Sequence, residues 1–263
     1  MQLVRFNDVH GQCNYGARVG QDEIHCLQGD IFGPLKKLAL VASAERLLAP
    51  VSPPNIIAIG ANYASHAKEA GKKVPDHPLV FVKLTTTVIG PGEPIVLPAE
   101  APDEVDYEAE LAIVIGKTCR NVSEADALKY VLGDPCGHDV SARDCQWRFD
   151  GQWARGKSFD TFCPLGPWIE TELDQSDLRV RLILNGKVMQ DDTTARMLFP
   201  PAMLVSYLSR QFTLLPGTVI MTGTPEGVGA FRQPAVFLRD GDEVTVEVEG
   251  IGQLTNPVRR GPK

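Results

Sequence analysis

Short apolar runs, most of them bounded by glycine or proline, recur along the chain. "IIAIG", "PLVFVK", "PIVLP", "ELAIVIG", "VRLILNGK", "GTVIMTG" and "DEVTVEVEGIG" are rich in Val and Ile and read as strands. Helical spacing is rarer. "NYASHAKEAG" predicts a short helix stopped by Gly71, and "VSEADALKYVLG" one that opens with Ser123 and Asp126 at capping-box spacing and closes at Gly133. "PPAMLVSYLSRQF" has Pro near its first turn and sets Met203, Leu204, Tyr207 and Leu208 on one face. Residues 1–50 read as a small unit of their own, with strands at "LVRF" and "YGARVG" and then a helix across "DIFGPLKKLALVASAERLLA". The Pro-rich junction "PVSPPN" (50–55) divides this α/β extension from a main domain at 51–263. Strands outnumber helices and do not alternate with them regularly, which predicts a β-rich α+β fold over a doubly wound sheet.

Composition narrows the function classes. The 263 residues suit one large domain, or one with a small appendage, and 43% apolar residues is ordinary for a globular chain. No apolar stretch is long enough to span a bilayer. The start, "MQLVRFNDVHG", has no basic segment followed by an apolar one, so no secretory signal is read and a cytoplasmic location is expected. Six cysteines form no C-x-x-C pair, which favours reduced, partly buried thiols. A net charge of −7 argues against an electrostatic nucleic-acid footprint. Small molecules and further copies of the chain are the expected partners.

One strand departs from the common pattern. "DYEAELAIVIG" (106–116) enters its apolar run through Asp106, Glu108 and Glu110, which alternation places on one face. Burying like charges uncompensated costs several kcal/mol or more, so either a solvated strand edge or a bound cation is implied. Glu108 and Glu110 can share a hard cation, with Asp139 or Asp144 of "HDVSARD" as a third oxygen ligand. His66 and Glu69, three apart on a helix, make either a surface pair or a carboxylate-oriented general base. Arg143, Gln146 and Lys157 are donors that can hold a carboxylate or an enolate. "MTGTPEGVG" follows a strand, and its N–H groups with Thr222 or Thr224 form either an anion grip or a tight structural turn. No G-x-S-x-G elbow is present.

Seven ordered blocks between Asn55 and Val258 carry a resemblance: "GANYASHAKEAG", "DYEAELAIVIGK", "HDVSARDCQ", "GKSFDTFCPLGPWI", "LNGKVMQ", "TGTPEGVG" and "LRDGDEVTVEVEGIG". On these the chain resembles the fumarylacetoacetate hydrolase family, most closely its domain-containing protein 2 branch. The resemblance implies a mixed β-sandwich roll, usually dimeric, with a small N-terminal extension. It implies a divalent cation (Mg²⁺, or Mn²⁺/Ca²⁺) on Glu108, Glu110 and Asp139, and a His66–Glu69 dyad on a closing helix. Lys157 inherits a catalytic place in the substrate site, with Arg143, Gln146 and Thr224 as substrate-binding neighbours. The activity it implies is turnover of a small 2-oxo or 2,4-dioxo acid through an enolate. C–C hydrolysis of an acylpyruvate-like substrate is the first expectation. Oxaloacetate enol–keto tautomerisation, or decarboxylation or isomerisation of a 2-oxo diacid, is the alternative, and a carboxylate-binding protein is the non-enzymatic one. The sequence departs from the family at two places. Lys83-Leu84 replaces the common Lys-Pro, a change expected to affect a turn, and Pro135 interrupts a strand, where only an edge, a strand start or a bulge tolerates it.

Overall fold

The computed structural model describes residues 1–20, 23–149 and 151–261. Five strands open the chain: β1 (Gln2–Asp8), β2 (Cys13–Val19), β3 (Glu23–Gly29), β4 (Leu35–Val41) and β5 (Ala44–Leu48). The helix expected across residues 30–49 is therefore absent, and the N-terminal extension is β in character rather than α/β. β4 pairs with β3 and β5 with β1, and most β4 side chains are exposed. An exposed edge strand needs no apolar alternation, so the leucine spacing of this segment imitates a helix while long-range pairing decides the outcome.

The strands that follow are β6 (Ile56–Gly60), β7 (Leu79–Lys83), β8 (Val88–Ile89), β9 (Ile95–Leu97), β10 (Val105–Asp106), β11 (Ala109–Ile115) and β12 (Val131–His138). After them come β13 (Ser141–Ala142), β14 (Cys163–Glu170), β15 (Arg179–Leu184), β16 (Lys187–Thr193), β17 (Val219–Met221), β18 (Glu243–Val248) and β19 (Gly252–Arg260). Among the described residues a twelve-stranded mixed sheet runs β4-β3-β2-β1-β14-β12-β11-β17-β6-β7, with β5 beside β1 and β8 beside β14. The N-terminal strands thus continue into the main sheet through Gln2↔Glu170 and Leu3↔Ile169. A five-stranded sheet, β16-β15-β18-β19-β9, packs on it and closes the sandwich roll, while β10 and β13 pair separately. Leu111 and Cys136 of the large sheet meet Val180, Leu182, Val246 and Leu254 of the small one in the central core.

Among the described residues four short α-helices decorate this frame: α1 (Ala64–Glu69), α2 (Glu124–Ala127), α3 (Trp153–Gly156) and α4 (Pro201–Gln211). α4 is the helix expected there. It buries Leu204, Val205 and Leu208 against Ile57, Ile113 and Ile220 on the outer face of the large sheet. α2 is shorter than expected. It gives way to a 3₁₀ turn at Leu128–Tyr130, and Val131 already pairs with Ile115, so Gly133 lies inside a strand. Ser123 Oγ donates to Asp126 Oδ2 (2.8 Å) rather than capping a backbone N–H. Pro135 falls where the β12–β14 register shifts between Asp134 and Cys136, which is the bulge its ring requires.

Candidate metal and substrate site

The site forms where β11 begins and where β12, β17 and β6 end. β11 and β12 run antiparallel, with Ala109 opposite His138, so Asp139 arrives beside Glu108; its N–H donates to the Glu108 carbonyl at 3.0 Å. Glu110 begins the face of β11 that Ala112 and Val114 continue into the core. Glu108, Glu110 and Asp139 are all buried and offer oxygens within 4.8 Å of one another. The alternative third ligand, Asp144, lies outside this cluster and accepts the Cys145 N–H at 2.8 Å. Asp106 is also outside it, because the extended run breaks between β10 and β11.

Three cations hold the acids. Lys157 Nζ bridges Glu108 Oε2 (2.9 Å) and Asp139 Oδ2 (2.6 Å), and Lys83 Nζ donates to Asp139 Oδ1 (2.5 Å). Arg143 donates from Nε to Asp106 Oδ2 (2.8 Å), from Nη2 to Glu108 Oε1 (2.7 Å) and from Nη1 to Gln146 Oε1 (2.8 Å). Burial works against ionisation of Glu108, yet Lys157 and Arg143 hold its carboxyl well below the usual range. Glu110 moves the other way. Burial, and then the charges of Asp139 and Glu108, push it well above that range, against the Gly223 N–H it accepts at 2.8 Å. Burial also disfavours the Lys157 ammonium, and Asp139 and Glu108 more than reverse that. Three crowded carboxylates with no nitrogen or sulfur donor suit a hard divalent cation that keeps positions open to water or substrate. The residues present fit Mg²⁺, Mn²⁺ or Ca²⁺.

The dyad is formed. His66 Nδ1 and Glu69 Oε1 lie 2.8 Å apart on α1, largely shielded from solvent, which removes the reading of a plain surface pair. In the tautomer that donates Nδ1–H to Glu69, Nε2 is the basic nitrogen. His66, Lys72, Glu108, Arg143 and Lys157 line one cleft, walled by Phe81, Trp147, Trp153 and Phe231. It is narrow, closed in by these four rings. Trp147 stacks on Phe231 at 5.5 Å, and the Arg143 guanidinium lies 5.1 Å from the Trp147 ring.

The glycine-rich segment after β17 does grip anions, and the anions are the protein's own. Gly223 N–H serves Glu110, Gly227 N–H serves Glu69 (2.9 Å), and Gly229 (2.7 Å) and Ala230 (3.0 Å) serve Asp106. Gly229 is required by close approach, since a Cβ there would lie 1.8 Å from the Val236 carbonyl and 2.6 Å from Asp106 Oδ1. Thr222 Oγ1 donates to the Leu111 carbonyl (2.7 Å). Thr224 stands at the cleft wall, but its hydroxyl donates to the Ala109 carbonyl (2.9 Å) and accepts from Gln190 Nε2 (2.8 Å). These two bonds tie the β11 entry to the loop.

Several contributors have no sequence signal of their own. The Lys83-Leu84 departure reads as a matter of turn geometry, yet the Lys83 ammonium sits on Asp139. Gln190 lies inside the "LNGKVMQ" block without an assigned role, and it also accepts the Ala109 N–H (2.8 Å). The aromatic walls come from three segments far apart in sequence, at Phe81, at Trp147 with Trp153, and at Phe231.

This fold and this site define a member of an enzyme family. The chain belongs to the fumarylacetoacetate hydrolase family, its residues 55–259 matching the family described as Fumarylacetoacetate (FAA) hydrolase C-terminal. It is 47% identical over 227 residues to the fumarylacetoacetate hydrolase domain-containing protein 2 homolog of Dictyostelium discoideum, covering 81% of this chain and 74% of that one. It is 47% identical over 217 residues to the oxaloacetate tautomerase fahd2, mitochondrial, of Xenopus laevis, covering 81% and 68%. Among solved structures it superposes on 5-carboxymethyl-2-hydroxymuconate delta-isomerase from Mycobacterium smegmatis with a TM-score of 0.89 and 44% identity, over 99% of this chain and 100% of that one. No helix among the described residues is long and apolar enough to cross a membrane.

Proposed function

We propose that the chain is a divalent-metal-dependent tautomerase or isomerase of short 2-oxo dicarboxylates, with the enol–keto pair of oxaloacetate as the first substrate to test. One observation carries this reading: a carboxylate-backed imidazole and two buried cations line one aromatic-walled cleft, and an oxygen-only acid triad reaches it through Glu108. Moving a proton within a small bound acid needs no more than that. Hydrolysis must in addition seat an acyl chain and an attacking water. The relatives named oxaloacetate tautomerase and delta-isomerase support the same choice.

A divalent cation on Glu108, Glu110 and Asp139 would supply Lewis-acid polarisation of the 2-oxo group. Arg143 and Lys157 hold the substrate carboxylate and the negative charge that gathers on the C2 oxygen. His66, oriented by Glu69, transfers a proton at C3 while the proton on the enol oxygen departs to solvent. Phe81, Trp147, Trp153 and Phe231 limit the water that reaches the intermediate. The test follows the decay of oxaloacetate enol by ultraviolet absorbance and the cleavage of an acylpyruvate by NMR, each with protein stripped by chelator and then resupplied with Mg²⁺. Metal-dependent ketonisation without cleavage is expected. Pyruvate and free acid as the dominant products would return the hydrolase reading, and no turnover of either substrate would leave a carboxylate-binding protein.

A further inference from the structure

We infer that Lys72 selects dicarboxylates by engaging the substrate carboxylate remote from the 2-oxo group, an inference that rests on the reading above. The cleft carries three side-chain cations besides the imidazole, and two of them are committed. Arg143 is shared between Asp106 and Glu108, and Lys157 between Glu108 and Asp139. Lys72 lines the same cleft from its exposed mouth, and among the described residues no carboxylate lies within ion-pair distance of it. Its ammonium is nevertheless placed. It sits 4.9 Å from the centroid of the Trp153 ring, and Trp153 packs edge-on to Phe81 at 5.5 Å. A Cβ on Gly60 would come within 2.5 Å of the same indole, so that ring closely approaches the β6 backbone. The Lys72 N–H donates to the Ala67 carbonyl at 2.9 Å, tying the residue to the helix that carries His66. Although the residue is exposed, desolvation by the cleft walls and then the Arg143 charge lower its pKa, with Glu108 acting in the opposite sense.

In the reading above, Arg143 and Lys157, while shared with Asp106, Glu108 and Asp139, receive the 2-oxo carboxylate at the buried end of the cleft. A second carboxylate on a four-carbon acid then points toward the mouth, where Lys72 supplies a charge that no described carboxylate pairs with. A methyl group at that position would gain nothing from it. The contact is charge-assisted but solvent-screened, which sets the expected discrimination at about tenfold.

Calorimetry in Mg²⁺ with malate and 2-hydroxybutyrate tests this, because the pair differs by carboxylate against methyl at the remote carbon and neither carries the 2-oxo group. The wild-type chain is expected to bind malate about tenfold more tightly than 2-hydroxybutyrate. Lys72→Gln is expected to erase that ratio, and Lys72→Arg to restore most of it. An unchanged ratio in Lys72→Gln overturns the assignment, as does a wild-type protein with no preference for malate. The two readings fail separately. A malate preference lost in Lys72→Gln, in a protein that turns over no 2-oxo acid, keeps the diacid selector and removes the tautomerase.

Discussion

Asp106 is the acid of the "DYEAE" run that does not join the cluster of Glu108, Glu110 and Asp139, and replacing it with Asn measures what it does instead. Its Oδ1 accepts the N–H groups of Tyr107 (2.8 Å) and Gly229 (2.7 Å), and its Oδ2 accepts Arg143 Nε (2.8 Å) and Ala230 N–H (3.0 Å). The side chain is fully buried. Asn has the same shape but only one acceptor oxygen, and its amide is itself a donor. Whichever way the amide turns, two donors lose their acceptor, both buried except for the half-buried Ala230 N–H. At about 1–3 kcal/mol for each unsatisfied group, the loss is roughly 2–6 kcal/mol, the upper end applying if one of the two is the Arg143 guanidinium. Urea unfolding followed by tryptophan fluorescence reads this directly. A loss below about 1 kcal/mol would falsify the account of Asp106 as the anchor of Arg143 and the loop.

Three further outcomes follow from the site and the core. His66→Ala should lower turnover by about 10²–10⁴-fold with little change in KM, the signature of a lost proton-transfer group; a normal rate would remove the dyad from the mechanism. Glu110→Gln should weaken Mg²⁺ binding by calorimetry while leaving the metal-free protein at least as resistant to heat, since it relieves the repulsion from Asp139 and Glu108; unaltered Mg²⁺ affinity would take Glu110 out of the ligand set. Burial, with a smaller contribution from Glu170 and against hydrogen bonds from Gln175, pushes the Asp134 carboxyl up to about 7. A raised carboxyl favours the protonated fold, so this contribution is full below about pH 4, declines as pH rises toward 7 and is gone above it, with a slope of at most about 1.4 kcal/mol per pH unit. Asp134→Asn should flatten that slope in denaturation curves recorded from pH 4 to 8, and a slope equal to that of the wild type would refute the assignment.

Some of this was legible in the residues alone. Two carboxylates two apart at a strand entry can share a cation, and that is how Glu108 and Glu110 are arranged. The choice between Asp139 and Asp144 was not available locally, because it depends on where β12 ends against β11. Lys83 was invisible for a similar reason: its ammonium reaches an acid 56 residues away. The loop after β17 announced its anion-binding geometry, but its partners lie 113, 158 and 123 residues off in sequence, at Glu110, Glu69 and Asp106. Residues 30–49 and 124–133 failed in a different way. Both have leucine or alanine spacing compatible with a helix, and both are decided by strand partners, β3 and β1 in the first case and β11 in the second.

That loop also bears on how the enzyme can be altered. One stretch of main chain, through amides rather than side chains, sets the positions of Glu110, of Glu69 beside His66 and of Asp106 beside Arg143. Side chains pointing away from those amides are free to vary, whereas inserting or deleting a single residue between Gly223 and Ala230 would shift all three together. Handles that do not pass through those amides lie in the aromatic walls farthest from the loop, at Phe81 and Trp153.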